Sequence, residues 1–208
     1  MSLRWAAAAL AGAAALAAAG CSSDQPLPTT PTLLKVTVPG DGPVAEVATA
    51  FAITRTRAVT VAHAVGNRRT VLVAAPGERA HRVRVLRTDR RLDLALLDVP
   101  GLRPPVFASE RLENGIYGWV LVLRGEHRPL LHAQLLRRIT ANVRDAPGAA
   151  AQVRPALELR TVVEQGDSGA PVLDLNGRVV GMLFAQASDR NDRAYALDAR
   201  AFAPRERP

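Results

Sequence analysis

The chain has 208 residues, a formal net charge of +8 and a single cysteine, Cys21. One cysteine excludes an intramolecular disulfide, so an exported domain would have to be held by its core, and the length beyond Cys21 suits one domain. Aromatic residues make up only 4% of the chain, which argues against stacking on bases, so no nucleic-acid partner is expected.

The first residues carry Arg4, then an Ala/Leu-rich run from Trp5 to Ala19, then Gly20 and Cys21. A charged start, a short apolar stretch and small residues form an export signal, and the run falls short of the ~20 residues a membrane-spanning helix needs. Ala18-Ala19-Gly20-Cys21 resembles the bacterial lipobox, with Ala18 where Leu is usual. That resemblance implies a signal peptide over residues 1–20, a lipid on Cys21 and attachment to the cell envelope, with ordinary signal cleavage as the alternative. Ser22 in the next position would suit an outer membrane, if there is one. Ser22 to Thr32, with Pro26, Pro28 and Pro31, is expected to be extended or disordered. In polyproline-like form it would span roughly 30–35 Å.

From there on, short β-branched and aliphatic runs alternate with Gly, Pro, Asp and Asn. Strands are predicted at Leu33–Val38, Val44–Ile53, Ala58–Val61, Thr70–Ala74, Arg82–Thr88, Leu92–Val99, Ile116–Leu123, Leu130–Val143 and Ala156–Val163. No long helical periodicity intervenes, which points to an all-β sandwich or barrel. Arg68, Arg69, Arg79, Arg82, Arg84, Arg87, Arg90 and Arg91 form a dense basic stretch. It reads as a solvated face, with anionic headgroups or polyanions as the alternative occupant. Arg144 to Arg154 reads as a surface loop. Val172 to Val180 reads as a hairpin turning at Asn176-Gly177, where both residues tolerate φ > 0, with Asp174 as a hairpin residue. Asp198 to Ala203 has helix-like composition.

Chemistry concentrates in three places: Val59-Thr60-Val61-Ala62-His63, Asp93-Leu94-Ala95-Leu96-Leu97 and Gly166-Asp167-Ser168-Gly169-Ala170-Pro171. A serine hydroxyl is a weak nucleophile at neutral pH and needs a base, which in turn needs an orienting group. Ser168, His63 and Asp93 supply those parts, with Asp89 and Asp98 as alternative partners for the histidine. Gly166 can aim its N–H, together with that of Ser168, at a developing oxyanion. Asp93, ahead of an apolar run, would start a strand with its carboxylate inward. His81, His127 and His132 lack a comparable context and read as surface or packed residues. No Cys/His cluster has metal-ligand spacing, so neither a metal nor another cofactor is expected.

The chain order His, Asp, Ser is that of the chymotrypsin-like double barrel. The three blocks resemble the trypsin-like serine peptidase family: Thr60-Val61-Ala62-His63 is similar to Thr-Ala-Ala-His, Asp93-Leu94-Ala95-Leu96 to Asp-Ile-Ala-Leu, and Gly166 to Pro171 to the nucleophile block. With the Leu175-Asn176-Gly177-Arg178-Val179-Val180-Gly181 hairpin, the chain looks closest to short bacterial members of HtrA type, expected here without a PDZ domain. The resemblance implies two six-stranded antiparallel β-barrels with a short C-terminal helix, over residues 33–205. It implies an exported endopeptidase acting on protein or peptide substrates through an acyl-enzyme. A weakly active or inactive envelope scaffold, or an esterase, are the alternatives. Two departures stand out: Ala48-Thr49-Ala50-Phe51 replaces Gly-Ser-Gly-Phe, and no Ile-Val-Gly-Gly activation sequence occurs. Asp167 must then find donors other than a newly cut N-terminus. Val162, six residues before Ser168, would floor the primary specificity pocket. An apolar floor disfavours basic P1 residues, and small or medium apolar ones are expected.

Overall fold

Twelve strands account for most of the computed structural model, which describes residues 30–38, 46–108, 112–143 and 151–204. Cys21 and most of the segment before β1 lie outside the described residues. The first six strands are β1 (Leu33–Val38), β2 (Glu46–Ala52), β3 (Arg57–Val61), β4 (Thr70–Ala74), β5 (His81–Asp89) and β6 (Leu94–Asp98). They close into an antiparallel barrel in the order β1-β2-β3-β6-β5-β4. The remaining six are β7 (Tyr117–Leu121), β8 (Leu130–Val143), β9 (Gln152–Arg160), β10 (Pro171–Asp174), β11 (Val179–Gln186) and β12 (Arg193–Asp198). These close as β10-β11-β12-β9-β8-β7. Closure gives each of the twelve strands a neighbour on both sides, and inward residues alternate with outward ones, as in the buried Val71 and Val73 of β4 and Ala95 and Leu97 of β6.

The double barrel is the expected architecture, and β1, β4 and β8 coincide with their predicted spans. Three local expectations are corrected. Arg193–Asp198 is a strand that composition does not announce, because its alanines are weak strand formers and charges flank it. The predicted helix after it is a single 3₁₀ turn, Ala199–Ala201, capped by the Asp198 side chain. Strand β9 begins at Gln152, so Arg154 belongs to a strand and not to a loop. The segment before β1 is also more tightly held at its end than expected: Pro31 is buried, the Thr32 carbonyl accepts from the Ala52 N–H at 2.9 Å, and the Thr32 N–H donates to the Arg103 carbonyl at 3.1 Å.

At the 174–178 hairpin, Gly177 has φ +74 while Asn176 stays out of the left-handed region. The Gly177 N–H donates to the Asp174 carbonyl at 3.0 Å, making a type I turn followed by one left-handed residue. Asp174 fixes it, its Oδ1 accepting from the N–H groups of Asn176 and Arg178 and its Oδ2 from the Arg178 guanidinium. The barrels are stapled by Phe202, just past the 3₁₀ turn. Its ring meets Phe51 of β2 and Phe107 of the connecting segment edge-on, each at a centroid distance of 6.1 Å. Such contacts add about 0.5–1.5 kcal/mol each beyond area burial.

Candidate active site

Strand β3 runs directly into a one-turn helix, α1 (Ala62–Val65). Ala62, Ala64 and Val65 are buried, which turns His63 outward and leaves its side chain 37% exposed. Asp93 ends the β5–β6 turn and is 3% exposed. Its φ of +55 is the left-handed conformation that Asp, unlike most side chains, tolerates. The turn is closed by the Asp93 N–H donating to the Arg90 carbonyl, while the Asp93 carbonyl accepts from the Ala62 N–H at 3.1 Å. Both carboxylate oxygens then engage one residue. Oδ1 accepts from the His63 backbone N–H at 2.8 Å, and Oδ2 lies 2.7 Å from ring Nδ1. This two-point grip fixes the ring plane and places Nε2 on the far side from the carboxylate.

The other aspartates are occupied elsewhere. Asp98 binds Arg57 and Arg84, the latter at 2.8 Å. Asp89 caps its own turn by accepting from the Leu92 N–H at 3.0 Å. Of the remaining histidines, His132 packs on Trp119, its cross-strand neighbour, at 4.4 Å, His127 shares a tight turn with Arg124, and His81 is exposed on β5.

Ser168 sits half-buried in the loop between β9 and β10. Thr49 of β2 uses its N–H and hydroxyl on that loop and its carbonyl on β3. Its N–H donates to the Ser168 carbonyl at 2.8 Å, its hydroxyl donates to the Gly166 carbonyl at 3.0 Å, and its own carbonyl accepts from the Thr60 hydroxyl at 2.7 Å. Thr60 lies three residues before His63. The histidine strand and the serine loop are therefore tied through one residue. Ala48 and Ala50, in place of the family glycines, cause no distortion, since β2 pairs with β1 in unbroken register from Leu33↔Phe51 to Val38↔Glu46.

Gly169 shows why that tie demands glycine. Its φ is +90, and a Cβ there would lie 1.9 Å from the Thr49 carbonyl oxygen. Gly166, at φ +99, has open space around it instead. The Gly169 N–H donates to the Leu183 carbonyl at 2.7 Å, anchoring the loop to β11. Val162 lies between β9 and this loop and is 62% exposed, while its neighbours Thr161 and Val163 are buried.

Two arginines that motif reading passes over complete the site. Asp167 is 2% exposed. Its Oδ2 accepts from Arg124 Nη2 and from the Glu164 N–H, each at 2.8 Å. Arg124 also reaches Glu164 Oε1 at 2.9 Å through Nη1. The hydrogen bond to Asp167 raises the guanidinium pKa; burial opposes it next in size, and the charges of Asp167 and Glu164 add to the rise. The other is Arg154, with Nη1 3.4 Å from Asp93 Oδ2. No local sequence signal marks either one, because both pairings cross between elements.

Residues 48–182 match the family described as trypsin-like peptidase domain. The chain is 36% identical over 155 residues to serine protease Rv3671c of Mycobacterium tuberculosis strain H37Rv, covering 73% of this chain and 39% of that protein. It thus spans about two-fifths of the curated relative's length. The crystal structure of the active form of the Rv3671c protease from M. tuberculosis superposes with a TM-score of 0.75 at 31% identity, covering 86% of this chain and 84% of that one. The HtrA-type protease AlgW, with a TM-score of 0.67 at 16% identity over 83% of this chain and 57% of its own, shares the fold. The chain belongs to the trypsin-like peptidase family.

Proposed function

We propose that the chain is an exported serine endopeptidase that works through an acyl-enzyme. The observation that carries this reading is the Asp93 carboxylate gripping His63 at two points, at 2.8 and 2.7 Å, on the strand that Thr49 ties to the Ser168 loop. In this reading His63 Nε2 takes the Ser168 Oγ proton as Oγ attacks the scissile carbonyl carbon. Asp93 stays ionised and stabilises the imidazolium. The Gly166 and Ser168 backbone N–H groups receive the oxyanion, a donor there being worth about 3–4 kcal/mol of barrier. Collapse of the tetrahedral intermediate expels the amine, which takes the proton from His63. Water then attacks the ester, with His63 again as base.

Val162 would present an apolar surface to the P1 side chain, favouring small or medium apolar residues. Cys21 would carry the lipid that holds the domain at the envelope surface. The test is labelling of the purified domain by a fluorophosphonate probe. The wild type should label and Ser168→Ala should not; undiminished labelling of the variant would overturn the assignment of the nucleophile.

A further inference from the structure

Arg154 is fully buried, at 0% exposure. It lies on β9, paired with Ala141 of β8, and its guanidinium carbon stands 5.2 Å from the centroid of the Phe184 ring of β11. Nη2 reaches toward the Arg90 carbonyl at 3.5 Å, and Nη1 stands 3.4 Å from Asp93 Oδ2. That oxygen is the one that meets His63 Nδ1. A dehydrated guanidinium is costly in a protein interior unless a carboxylate compensates it, and either member left alone costs more than the pair. Among the described residues Asp93 is the carboxylate that the guanidinium faces, so its charge meets a permanent cation on one side and the imidazole on the other.

We propose that Arg154 is a positioning residue of the His63–Asp93 pair, which locks the carboxylate and lowers the pH down to which His63 remains a base. The inference rests on the catalytic reading above. Its physical basis is competition. Protonation of His63 adds a second cation to a carboxylate whose charge Arg154 already offsets, so the imidazolium is less stabilised than by Asp93 alone. The phenyl face of Phe184 holds the guanidinium by a cation–π contact and keeps water from screening it.

Among the described residues, the charged groups disposed about the imidazole include Asp93 and Arg90 from the turn before β6 and Arg154 from β9. Arg90 lines the same hollow as His63, but it is exposed and its guanidinium is bonded to the Asn67 side chain. Solvent screens it, and it serves as the control. The loop acids Glu164 and Asp167 are engaged by Arg124.

The test is an NMR titration of the His63 ring in the Ser168→Ala background, read beside the acid limb of kcat/KM in the active protein. Arg154→Met and Arg154→Gln should each raise the His63 midpoint by about one pH unit and move the acid limb with it. Arg154→Lys should restore most of the shift, and Arg90→Gln should move the midpoint by much less. Folded Met and Gln variants with an unmoved His63 midpoint would overturn the proposal, as would loss of folding in both neutral variants, which would assign Arg154 to stability alone. The ring titration needs no turnover, so a wild type that fails to react with the fluorophosphonate probe would defeat the catalytic reading without touching this measurement.

Discussion

Arg124 Nη2 donates to Asp167 Oδ2 at 2.8 Å, joining the turn after β7 to the residue immediately before Ser168. The sequence demanded a donor for Asp167 and left it unidentified. It is an internal cation, reinforced by the Glu164 N–H on the same oxygen. Because Asp167 is buried and Ser168 follows it, whatever fixes this carboxylate fixes the backbone on which the proposed oxyanion donors lie.

Arg124→Met should therefore cost both stability and turnover. Removing one partner of a buried ion pair costs about 3–5 kcal/mol. Arg124 is about one-third exposed, so roughly 2–3 kcal/mol is expected here, with kcat falling more than KM rises. Urea unfolding midpoints and steady-state kinetics check the two effects separately.

Asp93→Asn should keep the native backbone, remove most of the activity and lower stability, because it takes away the charge that the buried Arg154 guanidinium faces. Asn accepts φ > 0 as readily as Asp, and its Oδ1 can still accept from the His63 N–H. The amide cannot hold Nδ1 as a donor with a compensating charge, and a loss of about 10⁴-fold in kcat is expected. Unchanged circular dichroism beside collapsed kcat is the outcome to look for.

Two glycines three positions apart should respond differently to alanine. Gly169→Ala puts a methyl 1.9 Å from the Thr49 carbonyl, so the link to Ser168 must break or shift. A loss of at least about 2 kcal/mol is expected from overpacking added to backbone strain. Gly166→Ala meets open space but keeps φ +99 unfavourable, so its stability loss should be smaller while its N–H is re-aimed. Comparing denaturation midpoints with kcat for the two variants checks this.

Asp98 supplies a pH prediction. Hydrogen bonding to Arg84, with Arg57 assisting and burial opposing, lowers its carboxyl below the ordinary value near 3.8. A depressed folded-state pKa contributes stability above the unfolded value, and that contribution is lost as pH falls through the folded one. Asp98→Asn should therefore be less stable than wild type by a constant amount from neutral pH down to about pH 4, with the gap closing below that. Urea midpoints from pH 7 to pH 2.5 would show it.

Much of this was legible beforehand because strands and turns carry their signals locally. The runs Leu33–Val38 and Thr70–Ala74 are bounded by breakers and bury alternate or near-alternate residues. Strand β12 was not legible. Arg-Ala-Tyr-Ala-Leu-Asp has little intrinsic preference for extension and is held by pairing with β9 and β11 on either side. The hairpin was foreseen while its turn type was not, because Asp174 rather than Asn176 dictates the backbone by accepting from two N–H groups at once.

The sequence alone determined the three candidate reactive side chains, the chain order that selects a double barrel, and the need for an internal donor to Asp167, since each is written in short contiguous blocks whose chemistry constrains their neighbours. Only the tertiary structure decided that Asp93, not Asp89 or Asp98, meets His63, and that Arg124 and Arg154 face the buried carboxylates of Asp167 and Asp93. Those pairings join residues such as 124 and 167, 43 positions apart. An arginine looks the same in a sequence whether it faces water or an interior carboxylate, and only closure of the barrels settles which.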